Sequence, residues 1–141
     1  MFKKILVPVD LSEPEMTTLA LDAALALAKT GDASLRLVNV QPLVPVAFVD
    51  YIPPNFDEEM REAAEKDLTA LAGKVDLPGG RMSSTVRFGA VYPEVLAEAE
   101  DWGADLLVVG SHRPTMATYL LGSNAKTIVR HAKCSVLVVR K

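Results

Sequence analysis

The run Leu106-Leu107-Val108-Val109 carries no polar residue, and Gly110 follows it directly. A strand without polar alternation has to be covered on both faces, a condition met by the parallel sheets of folds in which strands and helices alternate. Residues 4–9 (KILVPV) and 136–139 (VLVV) have the same character. Residues 35–40 (LRLVNV) are less uniform, with Arg36 and an outward-facing Asn39. Residues 83–88 (SSTVRF) are the most polar and read as an edge strand.

Between these runs lie helical patterns. Ser12-Glu13-Pro14-Glu15 has the form of a capping box with proline in the first turn. The helix it opens runs to about residue 29, with Leu19, Ala23, Ala26 and Leu27 on its buried face. Residues 57–73 form a charged helix that buries Met60, Ala64, Leu68 and Leu71. A third helix begins around Pro93 and ends at Trp102-Gly103, where Trp102 is a packing residue. A fourth is entered through Gly122-Ser123-Asn124 and ends near His131, placed as a positive charge at the helix end. Five strands alternating with four helices predict one domain over residues 1–141, an α/β fold with a parallel sheet and right-handed crossovers. The segment 41–55 contains Pro42, Pro45, Pro53 and Pro54 and reads as a long loop. Its Phe48 and Tyr51 either cover a ligand or partner, or anchor the loop to the surface.

Composition narrows the function. A formal net charge of -3 with scattered basic residues argues against a nucleic-acid partner. The single cysteine, Cys134, excludes an intrachain disulfide and a cysteine-based zinc site, and reads as a small buried side chain. There is no signal segment and no long apolar span, so the expectation is a cytoplasmic protein with no membrane partner. No Ser-His-Asp set or carboxylate pair can be placed together by spacing, so the chain is expected not to be an enzyme.

In open parallel sheets a ligand sits beyond the carboxyl ends of the strands, where the strand order reverses. Asp10, Val40 and Gly110 all fall at such ends. Gly110 permits a sharp turn, and Gly122-Ser123-Asn124 offers amides and a hydroxyl at a helix start, a place suited to an anion. The loop is neither a Walker A loop nor a GxGxxG fingerprint. Taken singly, these features fit ordinary turns and caps better than a ligand site.

Two stretches carry a family resemblance. Lys3-Lys4-Ile5-Leu6-Val7-Pro8-Val9-Asp10 opens the chain. Leu120-Leu121-Gly122-Ser123-Asn124-Ala125, with residues 129–140, closes it. Over its whole length the chain resembles the universal stress protein family (UspA-like), and its 111–124 loop resembles the F/G-type nucleotide-binding branch. The resemblance implies a doubly wound five-stranded sheet of order 3-2-1-4-5, of the adenine nucleotide alpha hydrolase-like kind. It also implies a homodimer joined through the last strand and an ATP-binding role in stress response or signalling. The alternative within the family is a nucleotide-free dimeric interaction protein. The binding branch spaces its loop as Gly, two residues, Gly, nine residues, Gly-Ser/Thr. Here Gly110 and Gly122-Ser123 match the outer parts, Arg113 replaces the middle glycine, and the second interval is one residue short. By position, Pro8, Val9, Asp10 and the Val40 backbone would hold adenine and ribose. Gly110 would lie against ribose or α-phosphate. Ser111, His112 and Arg113 would pass near the phosphates, with Arg113 as a cation. Gly122, Ser123 and Asn124 would donate to the outer phosphates, on which Mg²⁺ or Mn²⁺ would ride.

Overall fold

Apolar runs and helical segments alternate along the chain, and in this computed structural model they become five strands and four α-helices. The structure describes residues 1–12, 14–43, 45–111 and 119–140, with residues 49 and 119–124 described by backbone alone. In chain order the elements are β1 (Lys4–Pro8), α1 (Pro14–Gly31), β2 (Ser34–Gln41), a 3₁₀ helix (Val46–Tyr51), α2 (Phe56–Gly73), β3 (Met82–Phe88), α3 (Val91–Trp102), β4 (Leu106–Ser111), α4 (Tyr119–His131) and β5 (Ser135–Arg140). The strands form one sheet of order β3-β2-β1-β4-β5, and every pairing is parallel. The polar strand β3 is an edge, as its composition predicts.

The uninterrupted apolar runs are explained by two cores, one on each face of the sheet. Ile5 and Val7, Leu35 and Leu37, Leu106 and Val108 pack against α1 and α2. The alternate residues Leu6, Val38, Leu107 and Val109 pack with Val95, Ala99 and Ile128 of α3 and α4. The period of two along each strand delivers successive side chains to opposite cores.

Several local expectations are corrected. The buried face of α1 is Met16, Thr17, Ala20, Leu21, Ala24 and Ala28. Leu19 and Ala23 are only half-buried, and Ala26 and Leu27 are exposed. Apolar residues occupy nearly every position of this helix, so periodicity selects no single stripe. Ser12 donates its hydroxyl to Asp10 Oδ1 at 2.6 Å, and Glu13 of the expected capping box lies outside the described residues. The 41–55 loop contains a 3₁₀ turn, and its Phe48 and Tyr51 are 57% and 84% exposed, so they do not anchor it to the surface. Cys134 is half-buried, with its thiol pushed up by burial and by the charge of Asp105. Trp102 is a packing residue: the Arg36 guanidinium lies 4.7 Å and Lys4 Nζ 5.4 Å from its ring centroid. Arg36 also pairs with the buried Glu98 at 2.9 Å, and Arg87 reaches the other Glu98 oxygen at 3.1 Å. This network pins α3 to β2 and β3. Among the described residues no helix is long and apolar enough to cross a membrane.

Candidate functional site

The site follows from where the strands stop pairing. β1 pairs with β4 only through Ile5–Leu106 and Leu6–Leu107, whereas β4 continues beside β5 as far as Ser111. Beyond Leu6 the two central strands diverge. Because β1 and β4 send their crossovers to opposite faces, no helix fills the gap. The gap is a cleft of about 190 Å³. Pro8, Val9 and Asp10 line it from the end of β1, Val38, Asn39 and Val40 from β2, and Val109 and Gly110 from β4. Its side walls are Met16, Thr17 and Ala20 of α1, Val91 and Val95 of α3, and Ala125 and Ile128 of α4. These walls are chiefly apolar. The volume is below the ~300–1,000 Å³ of pockets that enclose a whole drug-sized ligand, which suits a flat base with the remainder of the ligand outside.

Polar groups concentrate on the rim. Asp10 Oδ1 accepts from the Ser12 amide at 2.9 Å and from its hydroxyl, leaving Oδ2 with no partner among the described residues. The Thr17 hydroxyl donates to the Asp10 carbonyl at 3.1 Å and ties the β1 end to α1. Asn39 is buried, contrary to its expected outward position. Its Nδ2 donates to the Val9 carbonyl at 2.9 Å, and its Oδ1 accepts from Gln41 Nε2 at 2.6 Å. Sequence alone had no signal for Asn39, since a polar residue in a strand is ordinarily on the wet side.

Val40 is the other rim group, through its main chain. In a parallel ladder the N–H and C=O of one residue point to the same side and those of the next to the other. Val38 faces β1, because its carbonyl accepts from the Val9 amide at 2.8 Å. Gln41 faces β3, accepting from the Gly89 amide at 2.9 Å. Val40 therefore faces the side where β1 has ended at Pro8. Neither its N–H nor its C=O has a partner among the described residues.

Of the eleven sequence-predicted site residues, Pro8, Val9, Asp10, Val40 and Gly110 meet in the cleft. Gly110 opens no turn: β4 runs through it to Ser111, and it has no left-handed φ. Its glycine fits a close approach of α1: a Cβ would stand 3.1 Å from both Met16 Cε and the Met16 carbonyl oxygen. Ser111 ends β4 opposite Arg140 and is not part of the lining. His112 and Arg113 lie outside the described residues. Gly122, Ser123 and Asn124 do not enter α4, which is already helical at Tyr119. The Ser123 and Asn124 amides fall inside the helix and point back toward the carbonyls four residues earlier. Among the residues whose side chains are described, α4 contributes Ala125 and Ile128 to the cleft. Tyr92 and His131 stack elsewhere, with centroids 6.4 Å apart. No group of three or more potential metal ligands occurs among the described residues.

Comparison with known proteins agrees with this architecture. The model of the universal stress protein family matches residues 1–140. Universal stress protein G of Shigella flexneri is 37% identical over 143 residues, covering 99% of this chain and 100% of its own length. Among solved structures, the hypothetical protein MJ0577 superposes with a TM-score of 0.81 at 25% identity, covering 100% of this chain and 97% of its own. A universal stress protein solved in complex with cAMP gives 0.70 at 23% identity, over 98% and 97% of the two chains. One from Archaeoglobus fulgidus solved with dAMP gives 0.69 at 19% identity, over 97% of each.

Proposed function

The chain belongs to the universal stress protein family, and from that membership we propose that it binds an adenine nucleotide, ATP in the first instance, as a nucleotide-dependent module of stress response or signalling. The observation that carries this reading is the unpaired Val40 main chain beside an apolar cleft. A free C=O next to a free N–H accepts from the 6-amino group of adenine and donates to a neighbouring ring nitrogen. Guanine presents an acceptor in place of that amino group and leaves the carbonyl unmatched. Val9, Val38, Val95 and Val109 would sandwich the base, and Asp10 Oδ2 would accept from a ribose hydroxyl. The cAMP and dAMP of two fold relatives are ligands of this class. The phosphates would lie toward the 111–124 segment, with Mg²⁺ or Mn²⁺ held on them. The chain's role is binding, with slow hydrolysis at most.

A second reading, a nucleotide-free interaction protein, is favoured by one feature. With α4 beginning by Tyr119, the Ser123 and Asn124 amides are taken up within the helix and not aimed at phosphates. Mass spectrometry of small molecules released from the purified protein separates the two. A co-purified adenine nucleotide supports the first reading. An empty protein whose melting temperature ignores millimolar ATP supports the second.

Under either reading the β5 edge is expected to pair with a second copy of the chain. It is the last strand of the sheet, Leu137 on it is 38% exposed, and Val129 of the adjoining α4 is 50% exposed. An open apolar edge favours strand addition about a two-fold axis.

A further inference from the structure

We infer that Asn39 is a positioning residue for the nucleobase: by fixing the Val9 carbonyl on its own side chain, it holds the end of β1 off the Val40 main chain, which stays unpaired and faces the cleft. The inference rests on the nucleotide reading above and supplies that reading with the residue that maintains its base-recognition edge.

The argument starts from ladder geometry. Pro8 pairs with Val38, and the Val38 carbonyl takes the Val9 amide. Continued by one step, the same ladder would send the Val40 N–H to the Val9 carbonyl and the Leu11 N–H to the Val40 carbonyl. Strands lengthen this way by default, because an unmade main-chain bond is costly near a protein interior. Here the step is not taken. The Val9 carbonyl is held by Asn39 Nδ2 at 2.9 Å, and no bond to the Val40 amide forms.

The side-chain amide can be oriented in only one way. A carbonyl accepts and never donates, so the Asn39 group facing Val9 is its NH₂. The Asn39 oxygen then needs a donor, and Gln41 Nε2 provides it at 2.6 Å. Asn39 is 3% exposed, so its two bonds are made without competition from bulk water. The Asn39-Val40-Gln41 tripeptide thus divides its work. The outer residues join their side chains on the α1/α2 face of the sheet. The middle residue turns its main chain toward the cleft and its side chain toward the α3/α4 core.

An apolar residue at position 39 releases the Val9 carbonyl. The ladder then closes by one step, and the Val40 N–H is consumed. Such a change leaves the fold intact, since the Val40 N–H replaces Asn39 at the Val9 carbonyl and the half-buried Gln41 amide, which loses its acceptor, can turn to water, but it removes the edge that reads the base.

The experiment pairs residue-resolved amide exchange with nucleotide titration, using ATP and GTP as probes, on the full chain and on Asn39→Leu and Asn39→Asp. Both variants lose the donor to Val9, and they differ in folding risk. In the ligand-free wild type the Val40 amide is expected to exchange at least about tenfold faster than those of Asn39 and Gln41, and to slow when ATP is added. In the variants it is expected to be protected without ligand, ATP affinity to fall by about tenfold, the equivalent of one lost hydrogen bond, and the ATP-to-GTP affinity ratio to move toward one. A Val40 amide protected in a ligand-free wild type that binds ATP overturns this inference alone, as do variants that keep both ATP affinity and the ratio. A wild type that binds no ATP overturns the nucleotide reading and this assignment together.

Discussion

Gly110 and Glu98 show how single residues seat the helices on the sheet. A Cβ at position 110 would press on the Met16 carbonyl oxygen, which cannot rotate away as a side-chain tip does. Valine is otherwise well suited to a strand, so its effect here isolates that contact. Gly110→Val is expected to destabilise the chain by about 1–3 kcal/mol through overpacking, read by denaturant unfolding; a neutral or stabilising result would show that α1 does not press on β4. Glu98 is buried between Arg36 and Arg87, which are themselves partly exposed. Glu98→Ala removes one carboxylate from each guanidinium but leaves Arg36 its bond to Ser83 Oγ at 3.0 Å and Arg87 its bond to Glu94 at 3.0 Å. The expected loss is about 1–3 kcal/mol, visible as a melting temperature lower by several degrees; an unchanged melting curve would mean the network contributes nothing. Gly110 was legible in the sequence as a site position, though for the wrong reason: the glycine serves a close helix, not a turn. Asn39 was not legible, because its role depends on which strand has ended beside it, and no local pattern encodes that.

At the scale of elements, what could be read depended on how strongly the pattern constrained each segment. β1, β4 and β5 were readable because a run without polar residues leaves only a covered strand as a solution. The face of α1 was not, because its alanines and leucines permit several orientations and only the packing of Met16 and Thr17 against the strand ends decides among them. α4 is the instructive case. Gly-Ser-Asn is a good helix entry by composition, yet the helix extends over it from Tyr119. Glycine inside a helix costs about 1 kcal/mol relative to alanine. Gly122→Ala is therefore expected to raise the melting temperature by about 2–4 °C for a chain of this size. A fall in melting temperature would instead mean that position 122 needs the freedom of a turn. The same substitution followed by ATP titration shows whether that segment meets the phosphates.

For the whole molecule, the strand order 3-2-1-4-5 does the functional work by setting the divergence of β1 from β4. This topology was foreseeable from the alternation of elements together with the likeness of both chain ends to one family. The cleft's five shared residues were foreseeable from the rule that ligands bind at the carboxyl ends of strands. The place of Gly122-Ser123-Asn124 was not, since their composition suits a helix start and they lie within α4. Association belongs to this scale as well. If β5 pairs with a second copy, Leu137→Lys places a charge on that edge and is expected to shift the chain toward monomer in sedimentation at micromolar concentration, with its melting curve little changed. A wild type that sediments only as monomer contradicts the pairing.

The central claim is that strands parting at the middle of the sheet leave a main-chain donor and acceptor open to an adenine base. Calorimetric titration of the nucleotide-stripped chain with ATP, and in parallel with GTP, tests it most directly. Measurable heat is expected with ATP, and binding about tenfold or more weaker with GTP, the value of one unmatched hydrogen bond. No heat at millimolar ATP, or equal affinity for the two nucleotides, would contradict it.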